Sequence, residues 1–132
     1  MGKGLLILFL IGVLLISGCR INPNSSNKEI SICSHQQKNN LKFVFYYDTG
    51  SMNIKNGTKL YYNITKEPEI NDIVIVKDSE YQTIENNEIT GFAHRVWSKP
   101  AEFYITKGDN NKFVDGVYKR EMLEGVIICK YG

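Results

Sequence analysis

This chain of 132 residues has few histidines and cysteines, and its basic and acidic residues nearly balance. Its 16 Lys and Arg oppose 14 Asp and Glu, a formal net charge of +2 without a basic cluster, which argues against nucleic-acid binding as the main activity. The 2 His and 3 Cys are scattered without metal-ligand spacing. No nucleotide-binding loop is present either. From these two observations we expect neither a metal nor another cofactor.

Proline, glycine and long apolar runs are limited as well. With 3 Pro and 11 Gly the chain is not a collagen-like fibre, and 42% apolar with 23% charged residues is the composition of an ordinary globular domain. A disordered tail and a polytopic membrane protein are excluded on the same grounds. The length allows one domain, and it must be a small one.

The N-terminus has the pattern of an export signal. Lys3 precedes Leu5–Ile16, a run of twelve residues that is apolar except for Gly12. A helix that crosses ~30 Å of hydrocarbon needs roughly 20 apolar residues, so this run fits the core of a signal peptide better than a membrane span.

The export signal ends in Ile16-Ser17-Gly18-Cys19, which resembles the lipobox of prokaryotic lipoproteins. The resemblance implies lipid attachment at Cys19. The alternative is a short, uncleaved anchor helix with an incidental cysteine. Both place the rest of the chain at the cell membrane, on the extracytoplasmic side, because Lys3 holds the N-terminus inside.

Three regions are predicted: a signal peptide or membrane anchor (residues 1–18), a polar tether (19–40) and a globular domain (41–132). Only Asp115–Glu124 suggests a helical turn. The domain is predicted to be mostly β, small, and open or barrel-like. The expected strands are Leu41–Tyr47, Lys59–Tyr62, Asp72–Val76, Ile89–Trp97, Glu102–Thr106 and Gly125–Tyr131.

A core built from ~90 residues is marginal, so a disulfide would help to stabilise it. Cys33 and Cys129 remain if Cys19 carries lipid, and an oxidising compartment would permit them to pair. Two unpaired thiols are equally compatible with the sequence.

Three segments could together perform nucleophilic catalysis. Ser51 follows a glycine in a turn, His94 lies in a strand pattern on one face with Phe92 and Val96, and Asp109 and Asp115 follow in a polar loop. Taken singly, these are an ordinary turn serine, a core histidine and a surface turn. Together they supply a nucleophile, a base that activates it and a carboxylate that orients the base.

These segments, in this order, resemble the motifs of type I signal peptidases, in the archaeal and endoplasmic-reticulum branch that uses His where common bacterial enzymes use Lys. The similarity spans about Asp48 to Gly132. The family's Gly-Asp-apolar strand has Asn71 in place of Gly here. The matching motifs are Thr49-Gly50-Ser51-Met52, Asn71-Asp72-Ile73-Val74-Ile75-Val76, Ala93-His94-Arg95-Val96, and Tyr104-Ile105-Thr106-Lys107-Gly108-Asp109-Asn110-Asn111 with Asp115.

The resemblance implies a small signal-peptidase-like catalytic β domain after an N-terminal apolar helix. Ser51 would attack the scissile carbonyl and His94 would take its proton. Either Asp109 or Asp115 would orient His94. The backbone N–H of Ser51 and the hydroxyl of Thr49 would form the oxyanion hole.

The implied activity is that of a membrane-tethered serine endopeptidase without a cofactor. Its substrates would be exported preproteins, bound in extended form beside the sheet and cut after a small residue. Its other contact would be membrane lipid, with no role for nucleic acid. The alternative is a non-catalytic lipoprotein that keeps the fold and binds peptides or a partner protein. A Ser51 Oγ to His94 nitrogen distance of about 3–4 Å favours catalysis; a separation near 8 Å would favour binding alone.

Overall fold

A computed structural model describes residues 19–21, 29–47, 50–77 and 91–132. These residues form eight strands, one short helix and one 3-10 turn. The elements are β1 (Cys19–Ile21), α1 (His35–Lys38), β2 (Lys42–Tyr46), β3 (Thr58–Asn63), β4 (Ile73–Lys77), β5 (Gly91–Pro100), β6 (Phe103–Lys107), β7 (Gly116–Lys119), the 3-10 turn Arg120–Met122 and β8 (Leu123–Lys130).

All eight strands belong to one curled antiparallel sheet. The order across it is β2-β3-β8-β4-β5-β6-β7, and β1 pairs with the end of β5 outside that path. The prediction of a mostly β domain is therefore confirmed. The predicted N-terminal apolar helix lies outside the described residues. Within the described ranges, no helix combines the length and apolar character needed to cross a membrane.

The predicted helical turn over Asp115–Glu124 is wrong for most of its length. Gly116–Lys119 is strand β7, which pairs with β6 so that Val117 lies opposite Ile105. Only Arg120–Met122 turns, and β8 starts at Leu123. The hairpin partner decides the conformation, because pairing across a sheet overrides weak local propensity.

The core occupies both faces of the sheet around β4. Ile73 and Ile75 pack into one apolar cluster, whereas Val74 and Val76 pack into another on the opposite face. All four are buried, as the continuous apolar run of the sequence predicts. The neighbouring strand β5 alternates in the same way.

The segment before β2 is attached to the sheet. A disulfide joins Cys33 to Cys129 of β8, with 4.9 Å between the Cα atoms. Ile32 forms a bridge with Lys130, and Ser34 and Gln37 cap α1 reciprocally. Residues 19–40 were expected to be a polar tether, and its described second half is part of the folded unit. Sequence left the pairing of the two cysteines open.

Candidate active site

The candidate nucleophile, Ser51, lies between Gly50, which has a positive φ, and Met52, whose side chain is buried. Gly50 has φ of 100°, a conformation that glycine adopts without a steric penalty. Met52 is buried in the cluster that contains Ile73 and Ile75, and its Sδ accepts a hydrogen bond from the Asp109 N–H at 3.2 Å. Ser51 is thus held from both sides, close to the surface.

Ser51 and His94 are in direct contact. The Ser51 Oγ lies 2.7 Å from His94 Nε2. His94 is 7% exposed, and its ring packs against Phe92 with 4.8 Å between the centroids. The imidazole is therefore shielded from solvent on the β5 face while its Nε2 reaches the serine hydroxyl.

Asp115 completes the chain of hydrogen bonds. Its Oδ2 lies 2.5 Å from His94 Nδ1. A carboxylate can only accept, so this contact assigns the imidazole proton to Nδ1 and leaves Nε2 free to accept the proton of Ser51. The distance criterion for a catalytic arrangement is satisfied.

Thr106 holds Asp115 in two places. Its hydroxyl donates to Asp115 Oδ2 at 2.9 Å, and its carbonyl accepts from the Asp115 N–H at 2.8 Å. Thr106 is fully buried, so both bonds attach Asp115 to the interior of the sheet. Sequence inspection placed Thr106 in a motif but did not indicate this role, because the contact depends on how the loop folds back.

Asp109 has a different partner from Asp115. Its two carboxylate oxygens accept hydrogen bonds from the Arg95 guanidinium at 2.9 and 3.0 Å. Both side chains are nearly completely buried. Of the two aspartates that sequence left as alternatives, Asp115 is therefore the one that contacts the imidazole, and Asp109 forms a buried ion pair on the opposite face of β5.

Arg95 extends this ion pair to the start of β4. Its guanidinium also donates to the Asn71 carbonyl at 2.8 Å. Asn71 has φ of 79°, in the left-handed region where Gly and Asn are favoured. The Asn that replaces the glycine of the family motif thus suits this backbone conformation.

The turn after β6 packs directly on the nucleophile segment. The Asn110 N–H donates to the Ser51 carbonyl at 2.8 Å. A Cβ at Gly108 would lie 3.0 Å from the Ser51 Cβ and 2.6 Å from Asn111 Nδ2. The absence of a side chain at Gly108 therefore permits the close approach of this turn to Ser51.

An open cavity of about 360 Å³ adjoins the nucleophile segment on the side of Met52. Met52, Ile54 and Ile73 supply apolar wall, and the ion pair of Arg95 and Asp109 also lines it. Lys55 and Lys130 line it as well, so its surface is mixed in polarity.

Two further site residues stay predictions. Thr49, expected in the oxyanion hole, lies outside the described residues. Cys19, expected to carry lipid, is the first residue of β1. In residues 19–21, 29–47, 50–77 and 91–132, no group of three or more His, Cys, Asp and Glu side chains is arranged to hold a metal ion.

Hydrogen bonds therefore connect Ser51, His94 and Asp115 in a line. Arg95 and Asp109 form a second polar cluster on the opposite face of β5. Comparison of the chain with family models, with curated proteins and with solved structures found no match in any of the three. The relation to type I signal peptidases thus stays a resemblance of motifs.

Proposed function

We propose that this protein is a serine endopeptidase of the signal-peptidase type. The observation that carries the proposal is the 2.7 Å contact between Ser51 Oγ and His94 Nε2, continued by His94 Nδ1 to Asp115. A serine hydroxyl becomes a nucleophile when an adjacent base accepts its proton, and the base here is oriented by a carboxylate.

The reaction would proceed through an acyl-enzyme. Ser51 Oγ bonds to the scissile carbonyl carbon as its proton passes to His94 Nε2, and the carbonyl oxygen becomes an oxyanion near the Ser51 N–H. The C–N bond then breaks, and the leaving amine takes the proton from His94. Water, deprotonated by His94, hydrolyses the ester and restores the Ser51 hydroxyl.

The sheet offers a place for an extended peptide. β2 is the terminal strand of the order, paired with β3 along one edge, and the chain runs from β2 into the nucleophile segment. Among the described residues its other edge has no strand partner. Such an edge accepts an added strand through backbone hydrogen bonds, so we propose that the substrate binds there in extended form.

The substrates would be exported preproteins or similar segments, cut after a small residue. The enzyme would be tethered to the membrane on its extracytoplasmic side through lipid at Cys19 or an anchor helix. Mass spectrometry of the mature N-terminus separates these two forms of attachment, because a lipidated Cys19 and an uncleaved Met1 differ in mass.

The test of the activity is cleavage of a purified model preprotein by the wild type, Ser51→Ala and His94→Ala. We expect each substitution to reduce the cleavage rate by at least about 1,000-fold, because the members of a triad act as a unit. Ser31→Ala is the matched control, since Ser31 is exposed and precedes the disulfide segment.

Full activity of Ser51→Ala would exclude the proposed mechanism. A wild type that binds the preprotein without cleaving it would instead support the non-catalytic lipoprotein. The hydrogen-bonded contact between Ser51 and His94 favours the peptidase, because peptide binding alone does not require it.

A further inference from the structure

Asn110 contacts both peptide groups that flank the candidate nucleophile. Its backbone N–H donates to the Ser51 carbonyl at 2.8 Å. Its side-chain Nδ2 donates to the Gly50 carbonyl at 2.9 Å and to Asn53 Oδ1 at 3.0 Å. The amide has two hydrogens, so it can make both side-chain bonds at once.

The bond to Gly50 determines where the Ser51 N–H points. The Gly50 carbonyl and the Ser51 N–H belong to one planar trans peptide, in which they point in opposite directions. Fixing the carbonyl oxygen therefore fixes the N–H as well. That N–H is the backbone donor assigned above to the oxyanion.

This peptide needs such a restraint. Gly50 has φ of 100°, and, apart from its chain neighbours, no heavy atom of the described residues would lie within 4 Å of a Cβ placed there. Glycine can adopt many backbone conformations, so Gly50 by itself does not fix the orientation of the Gly50–Ser51 peptide. The hydrogen bond from Asn110 Nδ2 restrains this peptide at its carbonyl oxygen.

Asn110 is itself supported by its neighbour. Asp109 is held by the buried pair with Arg95, and the Asp109 N–H donates to Met52 Sδ. The turn is closed by a hydrogen bond from the Asn111 N–H to the Gly108 carbonyl at 3.0 Å. The Asn110 amide is therefore presented to Gly50 from a fixed turn, although the residue is exposed.

We propose that Asn110 is a positioning residue that orients the Ser51 N–H for the oxyanion. It acts through the Gly50–Ser51 peptide and does not need to touch the substrate. This inference rests on the proposed peptidase activity and adds to it the residue that pre-organises the oxyanion hole.

The experiment compares the wild type with Asn110→Ala and Asn110→Asp. Both variants keep the backbone N–H that bonds to Ser51 and lose the Nδ2 donor, and Asp is nearly isosteric with Asn. We expect kcat to fall about 10- to 100-fold in each, less than the 100- to 1,000-fold cost of deleting an oxyanion donor. KM should stay within about twofold, because the donor acts mainly on the transition state.

A peptide aldehyde supplies a second readout. Ser51 Oγ adds to the aldehyde carbon, and the former carbonyl oxygen then occupies the oxyanion position. We expect the affinity for this aldehyde to fall in proportion to kcat in both Asn110 variants. The pH profile of kcat should keep its shape, since His94 and Asp115 are untouched. The control is Asn40→Ala, an exposed asparagine in the turn before β2.

The outcomes separate the two proposals. If the wild type cleaves, Ser51→Ala does not, and Asn110→Asp keeps full kcat and aldehyde affinity, the role of Asn110 is overturned while the activity stands. If KM or the pH profile changes as much as kcat, Asn110 is a structural residue and the inference is again overturned. If the wild type does not cleave, both proposals fail.

Discussion

Asp109 and Asp115 lie on the same loop but contact different residues of β5. Asp115 contacts the imidazole on one face of β5, and Asp109 neutralises Arg95 on the other. The difference follows from β geometry, because His94 and Arg95 are consecutive residues of a strand and their side chains leave opposite faces. Each carboxylate therefore affects a different property of the protein.

Replacing the two aspartates should separate activity from stability. Asp115→Asn should lower kcat by about 10,000-fold, as loss of the orienting carboxylate does in serine proteases, with a small change in unfolding free energy. Asp109→Asn should destabilise the fold by about 3–5 kcal/mol, because it leaves the buried Arg95 charge without its partner. Cleavage assays and urea unfolding of both variants measure the two effects. Similar stability losses in the two variants would contradict the assignment.

For activity, the hydroxyl of Thr106 should be more important than the volume of its side chain. Thr106→Val removes the hydrogen bond to Asp115 and keeps the volume, so we expect kcat to fall about 10-fold and the free energy of unfolding to fall by about 1 kcal/mol. Thr106→Ser keeps the hydroxyl and should retain most of the activity. Steady-state kinetics of the two variants checks this, and equal activity in both would show that the hydroxyl is dispensable.

At the scale of elements, the segment that begins at Gly50 carries Ser51, the proposed nucleophile. A second glycine, Gly57, has φ of 85° and equally open surroundings. The two positions therefore share a positive φ and differ in their distance along the chain from Ser51. They form a natural pair for comparing strain with function.

Gly50→Ala and Gly57→Ala should cost similar stability and have unequal effects on catalysis. Each places a Cβ on a left-handed backbone, at a cost of about 1–2 kcal/mol. Only Gly50→Ala should reduce kcat, by about 10-fold or more, because relief of its strain would rotate the peptide that precedes Ser51. Thermal unfolding and peptide cleavage test the pair. An equally large activity loss in Gly57→Ala would contradict this account.

Elements with a strong local signal were predictable, and those that depend on distant partners were not. The apolar run of β4 identified a strand buried on both faces, and the motifs identified Ser51 and His94. The strand β7 was mistaken for a helical turn because only its pairing with β6 makes it extended. The choice between Asp109 and Asp115 likewise depends on which face of β5 each loop residue reaches, which sequence spacing does not encode.

At the scale of the whole molecule, the disulfide joins Cys33, before helix α1, to Cys129 in the last strand, β8. The bridge spans 96 residues and is buried with Tyr61 in a small cluster of its own. Its buried members belong to neither the cluster that holds Met52 nor the cluster against which Phe92 packs, and Ile128 packs against both the disulfide cluster and the latter. Its contribution should therefore be to the stability of the whole domain.

Removal of the disulfide should destabilise the protein without abolishing activity at low temperature. Closing a loop of this length contributes about 4–5 kcal/mol in the chain-entropy account. Cys33→Ser with Cys129→Ser, or reduction of the wild type, should shift the urea midpoint downward by a corresponding amount, while cleavage in the cold continues. An unchanged midpoint after verified reduction would contradict the prediction.

The pairing of β1 with β5 bears on how far the site can be from a bilayer. Cys19 lies opposite Pro100, on the strand that carries His94. At about 3.3 Å per residue, the stretch from His94 to Pro100 spans ~20 Å. If Cys19 carries lipid, as proposed, this length limits how far His94, the proposed base, can lie from the membrane surface. Cleavage sites would then be selected by their height above the membrane as well as by their sequence.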